Sequence, residues 1–220
     1  MILLLFAATP ALGARPALVS SLSPEQLHEF DEQPRAVREL ISDALALTGM
    51  NLTYLYGSNS PRRGGMDCSG TVQHLLESQN LSRVPRQADQ IHDWVERAGT
   101  LRPVTARSLE SAQFDDLSPG DLLFWSGTYN IDRDITHVMI YLGTDKTTGK
   151  PLMVGASDGR PYNGMKRRGV SVFDFRLPRA GSKSRFVGYA RVPGLETKPR
   201  DAERITQQVE KEVQPSPLVF

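Results

Sequence analysis

The sequence has 220 residues, of which 39% are apolar, and its 26 Lys and Arg nearly balance its 25 Asp and Glu. A chain of this length can bury the core of one domain with extensions, without covalent crosslinks. The formal net charge of +1 gives no electrostatic basis for binding nucleic acid or an anionic membrane surface. The single cysteine, Cys68, excludes an intramolecular disulfide.

An apolar run, ILLLFAATPALG, follows Met1 and has the length of a signal peptide. Ala11-Leu12-Gly13 has the small-x-small form of a cleavage site, with Ala14 as an alternative end point. No Lys or Arg precedes the run, which leaves a buried N-terminal helix as the alternative. We predict that residues 1–14 are a signal peptide, that the protein is exported to the periplasm, the cell envelope or the medium, and that no membrane span remains after cleavage.

Helical signals dominate the first half of the chain. The string SPEQ places a capping serine, a first-turn proline and an acidic residue in the order of a helix start. Further along, apolar residues recur at helical spacing in three segments, and the intervening GSNSPRRGGM has the composition of a loop. We therefore predict a short helix at residues 23–26 and longer helices over residues 34–49, 68–78 and roughly 87–98.

After residue 116 the pattern changes to strands separated by glycine-bearing or charged turns. The strand segments are DLLFW, THVMIYLG, PLMVGAS, VSVFDF and RFVGYARV. Helices followed by a mainly antiparallel sheet of about five strands define an α+β fold rather than alternating βαβ units. The polar tail from residue 193 carries a thin apolar stripe, which predicts a marginal helix or a flexible extension.

The lone thiol of Cys68 has two interpretations. A single cysteine is most often a small buried apolar residue. However, Cys68 stands where a glycine-rich loop gives way to helical periodicity, and backbone N–H groups at a helix start stabilise a thiolate and can bind an oxyanion. The neighbouring carboxylate of Asp67 opposes a lowered thiol pKa, unless it caps the helix or pairs with an arginine.

A nucleophilic thiol needs a base, and the chain has four histidines. We expect His28 and His92 to face solvent, and His74, on the helix of Cys68, to point away from the sulfur. His137 opens a strand in which aliphatic residues alternate with a His-Met-Tyr face. We expect the cysteine helix to cover that second face, which makes His137 the best partner for the thiol; the alternative is a strand-edge histidine bonded to a loop.

Four strings, in this order, resemble the NlpC/P60 family of cell-wall cysteine peptidases: YLYGSNSPRRGGMDCSGTVQHLL, VPRQADQ, LSPGDLLFWSG and ITHVMIYLG. The resemblance covers roughly residues 35–192. It implies a papain-like α+β fold, in which the cysteine helix packs on an antiparallel sheet that carries the histidine. It also implies hydrolysis of amide bonds in peptidoglycan stem peptides, often between D-glutamate and a diamino acid, with no cofactor and no metal.

Carried over to this sequence, the family pattern makes Cys68 the nucleophile and His137 its general base and acid. Tyr54 matches the family's tyrosine before the glycine-rich loop and is expected to line the site and help to hold the oxyanion, with Tyr56 as a nearby alternative. A local structural role is the alternative to substrate binding for the remaining matches, which are Asp67, Ser69, Arg86 and Gln90.

One position departs from the family. Its members usually carry a third polar residue on the strand after the catalytic histidine, where it orients the imidazole, whereas the string MVGASDGR puts Gly155 there. We favour Asp158 as the third member because a carboxylate stabilises an imidazolium better than a hydroxyl does. Ser157, on the strand face of Gly155, is the alternative, and a backbone carbonyl or a water remains open. GASDGRPYNG is alternatively a substrate-binding loop.

These inferences together predict an exported cysteine peptidase whose partners are peptidoglycan stem peptides and not nucleic acid. Two other hypotheses remain: a wall-binding module of the same fold with little activity, and a related thiol amidase or acyltransferase. Gly155 favours the binding module, whereas retention of both Cys68 and His137 argues against it. The predicted organisation is a signal peptide, an N-terminal segment with a short helix, a catalytic domain and a tail, at residues 1–14, 15–34, 35–192 and 193–220.

Overall fold

The structure, a computed structural model, describes residues 15–129 and 133–195. The predicted signal peptide and the predicted apolar stripe of the tail lie outside the described residues, so both stay predictions. None of the helices in the described parts of the chain is long and apolar enough to cross a lipid bilayer.

Three α-helices lie close to their predicted positions within the described residues. The second begins and ends where the apolar spacing predicted, and the short N-terminal helix is a single 3-10 turn, Pro24–Gln26. Two further 3-10 turns, Pro61–Arg63 and Ala112–Phe114, have no apolar periodicity that would predict them. The α-helices are α1 (Arg35–Gly49), α2 (Cys68–Ser78) and α3 (Ala88–Arg97).

The strands form an antiparallel sheet that, in the described part of the chain, has six strands in the order β3-β8-β4-β5-β6-β7. The sixth strand is the three-residue β3, which was not predicted. A parallel pair, β1 and β2, lies outside this sheet. The strands are β1 (Thr53–Tyr54), β2 (Gly65–Met66), β3 (Leu101–Pro103), β4 (Leu122–Ser126), β5 (His137–Thr144), β6 (Pro151–Tyr162), β7 (Met165–Asp174) and β8 (Arg185–Ala190).

The two faces of the sheet carry different cores. The aliphatic side chains of β5, which include Val138 and Ile140, cluster with the inner side chains of α1 and α2. Met139 and Tyr141 point to the opposite face and join an aromatic cluster with Trp125. Our expectation that α2 covers the face of His137 was therefore wrong, because the aliphatic face offers the apolar helix its larger contact surface.

The outer edge of β7 is covered by two segments from earlier in the chain. Leu18 pairs with Arg168, and the N–H of Val170 donates to the carbonyl of Leu52 at 3.0 Å. Gly169 permits this approach, because a Cβ there would lie 2.1 Å from the Leu52 oxygen and its φ is +108°. The close contact holds the following strand β1 over the sheet, and with it Tyr54.

Candidate active site

Cys68 is the first residue of α2, and its neighbour Asp67 caps that helix. The Asp67 carboxylate accepts a hydrogen bond from the N–H of Gly70 at 2.7 Å, which satisfies one of the free donors of the first turn. A Cβ on Gly70 would lie 2.2 Å from the carbonyl oxygen of Ser58, so this position requires glycine. The DCSG string thus encodes a tightly packed helix start with the thiol at its head.

Arg86 closes the network around the capping carboxylate. Its guanidinium donates to both oxygens of Asp67, at 2.6 and 3.0 Å, and to the hydroxyl of Ser69 at 3.0 Å. The N–H of Gly57 adds a fourth donor to the carboxylate at 2.7 Å. Asp67 thus both caps the helix and pairs with an arginine, the two conditions under which its charge was expected to interfere least with the thiol. These contacts give Asp67 and Arg86 a structural role; substrate binding by them stays a prediction.

Burial decides the ionisation of the thiol. Cys68 is only 4% exposed. Burial, and after it the charge of Asp67, raises the pKa of Cys68 to about 11, although backbone hydrogen bonds from Val138, from Ser69 and at Cys68 itself act in the opposite direction. The expected lowering of the thiol pKa by the helix start is therefore outweighed by desolvation. The contact with Val138 also places the sulfur beside the first residues of β5.

His137 lies at the start of β5 with 6% of its surface exposed. Its Nε2 is buried and has no hydrogen-bond partner among the described residues. Its ring packs at 5.7 Å, centroid to centroid, from that of Trp125. Burial, followed by the positive charge of Arg160, lowers the pKa of His137 well below its ordinary value. Thiol and imidazole are therefore both neutral near pH 7 in the free protein.

Two cavities meet at a wall of three tyrosines, Tyr54, Tyr56 and Tyr129. The cavity around Cys68 has a volume of about 310 Å³, and the one around His137 about 640 Å³. Tyr54 is largely buried, and this burial, followed by the charges of Cys68 and Asp67, raises the pKa of its hydroxyl. The Tyr54 hydroxyl therefore keeps its proton and is available as a donor.

Tyr56 and Tyr129 are more exposed than Tyr54, at 68% and 42%. The structure thus places both predicted tyrosines, Tyr54 and Tyr56, in the lining of the two cavities, and their contact with a substrate stays a prediction. The sequence interpretation missed Tyr129, which stands in a turn after β4 and has no pattern that marks it.

The family usually carries an orienting residue at the position of Gly155, and here a side chain of the neighbouring strand β5 fills the space beside this glycine. A Cβ on Gly155 would lie 3.3 Å from Cγ of Met139, so the methionine occupies the space next to the glycine. Ser157 is buried and lines the His137 cavity. The carboxylate of Asp158 is bound by Arg15 and lies 3.5 Å from Arg168. No carboxylate among the described residues shifts the pKa of His137, so the structure gives no support to Asp158 as the third member.

A bulge in β6 between Ser157 and Arg160 explains this arrangement. At this bulge the carboxylate of Asp158 is bound by Arg15 and lies near Arg168, and both Asp158 and Arg160 line the cavity. The segment GASDGRPYNG is therefore the end of β6 and the turn into β7, not a separate loop, although its bulge lines the cavity.

The remaining predicted side chains divide between the cavity and the surface. Ser69 and Arg86 line the Cys68 cavity, whereas Gln90 is exposed on α3 and lines neither cavity. Gln87, one turn earlier, lines the Cys68 cavity instead. His92 was expected in solvent, but it is half-buried with its ring 5.3 Å from that of Phe124.

One group of side chains in the described residues offers three possible metal ligands. The ligand atoms of His92, Asp93 and Glu96 all lie within 4.8 Å of one another. The two carboxylate residues are exposed on α3, and none of the three lines either cavity. Exposed acidic groups are common in such clusters without an ion, so this group alone does not define a metal site.

The model of the NlpC/P60 family matches residues 51–165, more than half of the 220-residue chain. The chain therefore belongs to the NlpC/P60 family, as its sequence motifs predicted. Members of this family are generally hydrolases that act on peptidoglycan, so membership supports a function like that of cell-wall peptidases.

Several solved structures are similar to the chain, and two of them follow. A protein from Staphylococcus aureus described as similar to lipoprotein, NLP/P60 family, is 24% identical, with a TM-score of 0.48 over 73% of this chain and 42% of that protein. NlpC2 from Trichomonas vaginalis is 20% identical, with a TM-score of 0.41 over 72% of this chain and 50% of that protein. The match thus spans half or less of the length of these two proteins. Comparison with curated proteins gave no match.

Proposed function

We propose that this protein is an exported cysteine peptidase that hydrolyses amide bonds in peptidoglycan stem peptides, of the type that joins D-glutamate to a diamino acid. The observation that carries the proposal is the position of Cys68. It lies within the region that matches the family, at the head of a helix, in a cavity and beside the first residues of the strand that His137 opens. A cavity that contains a histidine and adjoins the cavity of the thiol favours a catalytic role for Cys68 over a purely structural one.

In the proposed reaction, His137 removes the thiol proton and the sulfur of Cys68 attacks the carbonyl carbon of the scissile amide. Backbone N–H groups at the start of α2 and the hydroxyl of Tyr54 stabilise the resulting oxyanion. The protonated His137 then donates to the leaving amine as the C–N bond breaks, which leaves a thioester on Cys68. Finally His137 activates a water that hydrolyses the thioester and restores the thiol.

The resting state of this pair differs from a preformed thiolate and imidazolium. The pKa of Cys68 is raised and that of His137 is lowered, both chiefly by burial. The proton therefore stays on sulfur until substrate is bound, and its transfer accompanies the attack on the carbonyl. A protonated thiol is also less readily oxidised than a thiolate, which suits a lone cysteine in an exported protein.

The proposal is tested by incubating the purified protein with muropeptides and identifying the products by mass spectrometry. We expect a new free amine on the diamino acid with the wild type, and a loss of roughly 10²-fold or more in rate with Cys68→Ala or His137→Ala. His28→Ala is the matched control, because His28 is exposed and lines neither cavity. Absence of a new amine, or equal cleavage by Cys68→Ala, would refute the peptidase.

A second candidate, a wall-binding module with little activity, is favoured by one specific observation. In the described part of the chain, His137 has no orienting side chain at Gly155 and no hydrogen-bond partner for its Nε2. If this candidate is right, the wild type sediments with insoluble peptidoglycan and releases no amine. Export is tested separately by N-terminal sequencing of the mature protein, which we expect to begin after Gly13 or Ala14.

A further inference from the structure

The cavity of His137 contains a positive charge that no described carboxylate compensates. Arg160, Arg176 and Asp158 line this cavity, and the carboxylate of Asp158 is bound by Arg15. Arg176 donates to the carboxylate of Asp174 at 2.7 Å. By contrast, no described carboxylate pairs with Arg160, whose guanidinium carbon lies 4.3 Å above the ring of Trp125.

The contact with Trp125 holds the guanidinium of Arg160 over the indole ring. A guanidinium stacked on an indole face keeps its in-plane N–H donors free for a further partner. The side chain is half-buried, and burying a cation without a counter-ion is unfavourable. The same cavity is lined by the buried Ser157 and by His137, whose buried Nε2 has no hydrogen-bond partner among the described residues. The charged side chains of this wall are two arginines and one aspartate, so its net charge is positive.

We propose that Arg160 is a specificity residue that binds a carboxylate of the substrate, close to the scissile amide, on the His137 side of the cleft. The inference rests on the proposed function for the identity of the substrate, a peptide with a free carboxylate on a residue that flanks the bond. Its geometric basis, an uncompensated guanidinium in the cavity next to the thiol, is independent of that function.

Binding of a carboxylate at Arg160 has a consequence for catalysis. The charge of Arg160 is, after burial, a cause of the lowered pKa of His137. A carboxylate bound to the guanidinium offsets this charge and so raises the basicity of His137 when a substrate with the correct group is in place. Recognition and activation of the base are thereby linked through one side chain.

The first test uses two small reagents that differ in charge. Iodoacetate and iodoacetamide alkylate a thiolate by the same displacement of iodide, so the ratio of their rates at Cys68 is independent of the thiolate fraction. We expect this ratio in the wild type to exceed that of a short cysteine peptide, and to fall roughly tenfold in Arg160→Gln, since one hydrogen bond to a charged group is worth about that factor. Arg97→Gln is the matched control, because Arg97 is exposed on α3 and lines neither cavity, and we expect it to leave the ratio unchanged.

The second test uses two peptides that differ only in a carboxylate or a carboxamide beside the scissile amide. We expect Arg160→Gln to lower kcat/KM for the carboxylate peptide roughly 10- to 100-fold and to leave the carboxamide peptide nearly unchanged. Equal losses on both peptides, or an alkylation ratio in the wild type no higher than that of the short peptide, would overturn the proposal. If the ratio behaves as expected but neither peptide is cleaved, anion binding stands and the peptidase function fails.

Discussion

The Asp67–Arg86 pair provides the sharpest test of how the head of α2 is held. Replacing Arg86 by Met removes two of the four hydrogen bonds that the carboxylate oxygens of Asp67 receive from Gly57, Gly70 and Arg86, namely those at 2.6 and 3.0 Å. The side chain of Asp67 is 8% exposed, so its charge would remain buried with the N–H donors of Gly57 and Gly70 and the longer contact, at 3.4 Å, from the Ser69 hydroxyl.

The magnitude follows from this burial. Removing one partner of a fully buried ion pair costs about 3–5 kcal/mol, but the side chain of Arg86 is 31% exposed, which screens the pair. We therefore expect Arg86→Met to lower the free energy of unfolding by about 2–3 kcal/mol. For a chain of this size that corresponds to a fall in Tm of roughly 5–10 °C.

Thermal unfolding followed by circular dichroism measures this effect. The matched control is Glu39→Gln, which breaks the exposed pair of Arg35 and Glu39, where the side chains are 75% and 48% exposed. We expect this control to change the free energy by less than about 0.5 kcal/mol. If Arg86→Met shifts Tm no more than Glu39→Gln does, the pair contributes nothing to stability and the reasoning is wrong.

Three further predictions concern the same site. Alkylation of Cys68 by iodoacetamide should rise with pH well past 8.5, towards the pKa of about 11, and a plateau below pH 8 would contradict the buried neutral thiol. Because the pKa of His137 is lowered on folding, the wild type should lose stability as pH falls below about 6.5, by up to ~1.4 kcal/mol per pH unit, and His137→Gln should lack this slope in urea unfolding. Gly70→Ala should lower Tm by several degrees, since its Cβ meets the backbone oxygen of Ser58 at 2.2 Å; an unchanged Tm would show that this backbone yields.

Local sequence patterns were sufficient for the long elements. The bounds of α2 and the positions of β4 to β8 along the chain follow from apolar spacing that is sustained over five residues or more. The strands β1, β2 and β3 have two or three residues each, too few to show any period, and they exist because neighbouring backbone supplies their partners. The prediction that Cys68 and His137 share one site came from ordered motifs and from elimination among the histidines.

The roles of individual site residues depended on contacts that no local pattern encodes. Asp158 was a reasonable orienting group by chemistry, but Arg15, 143 positions away in the sequence, binds its carboxylate. Gln90 matched a family position, yet the turn of α3 places it in solvent. Arg160 lies in the segment GASDGRPYNG, for which the sequence allowed a substrate-binding loop. Its role could not be inferred from the sequence, because the position of its guanidinium over Trp125 depends on the bulge in β6.

The sequence by itself determined the fold class, the helix that begins at Cys68 and the strand that begins at His137, because these depend on periodicity and on motifs along the chain. The tertiary structure decided which face of the sheet the helix covers and which charges surround the site. It also decided the ionisation of the thiol, for which the helix start predicted a lower pKa. Desolvation by distant segments outweighs that local effect, since the free energy of a charge depends on everything packed around it.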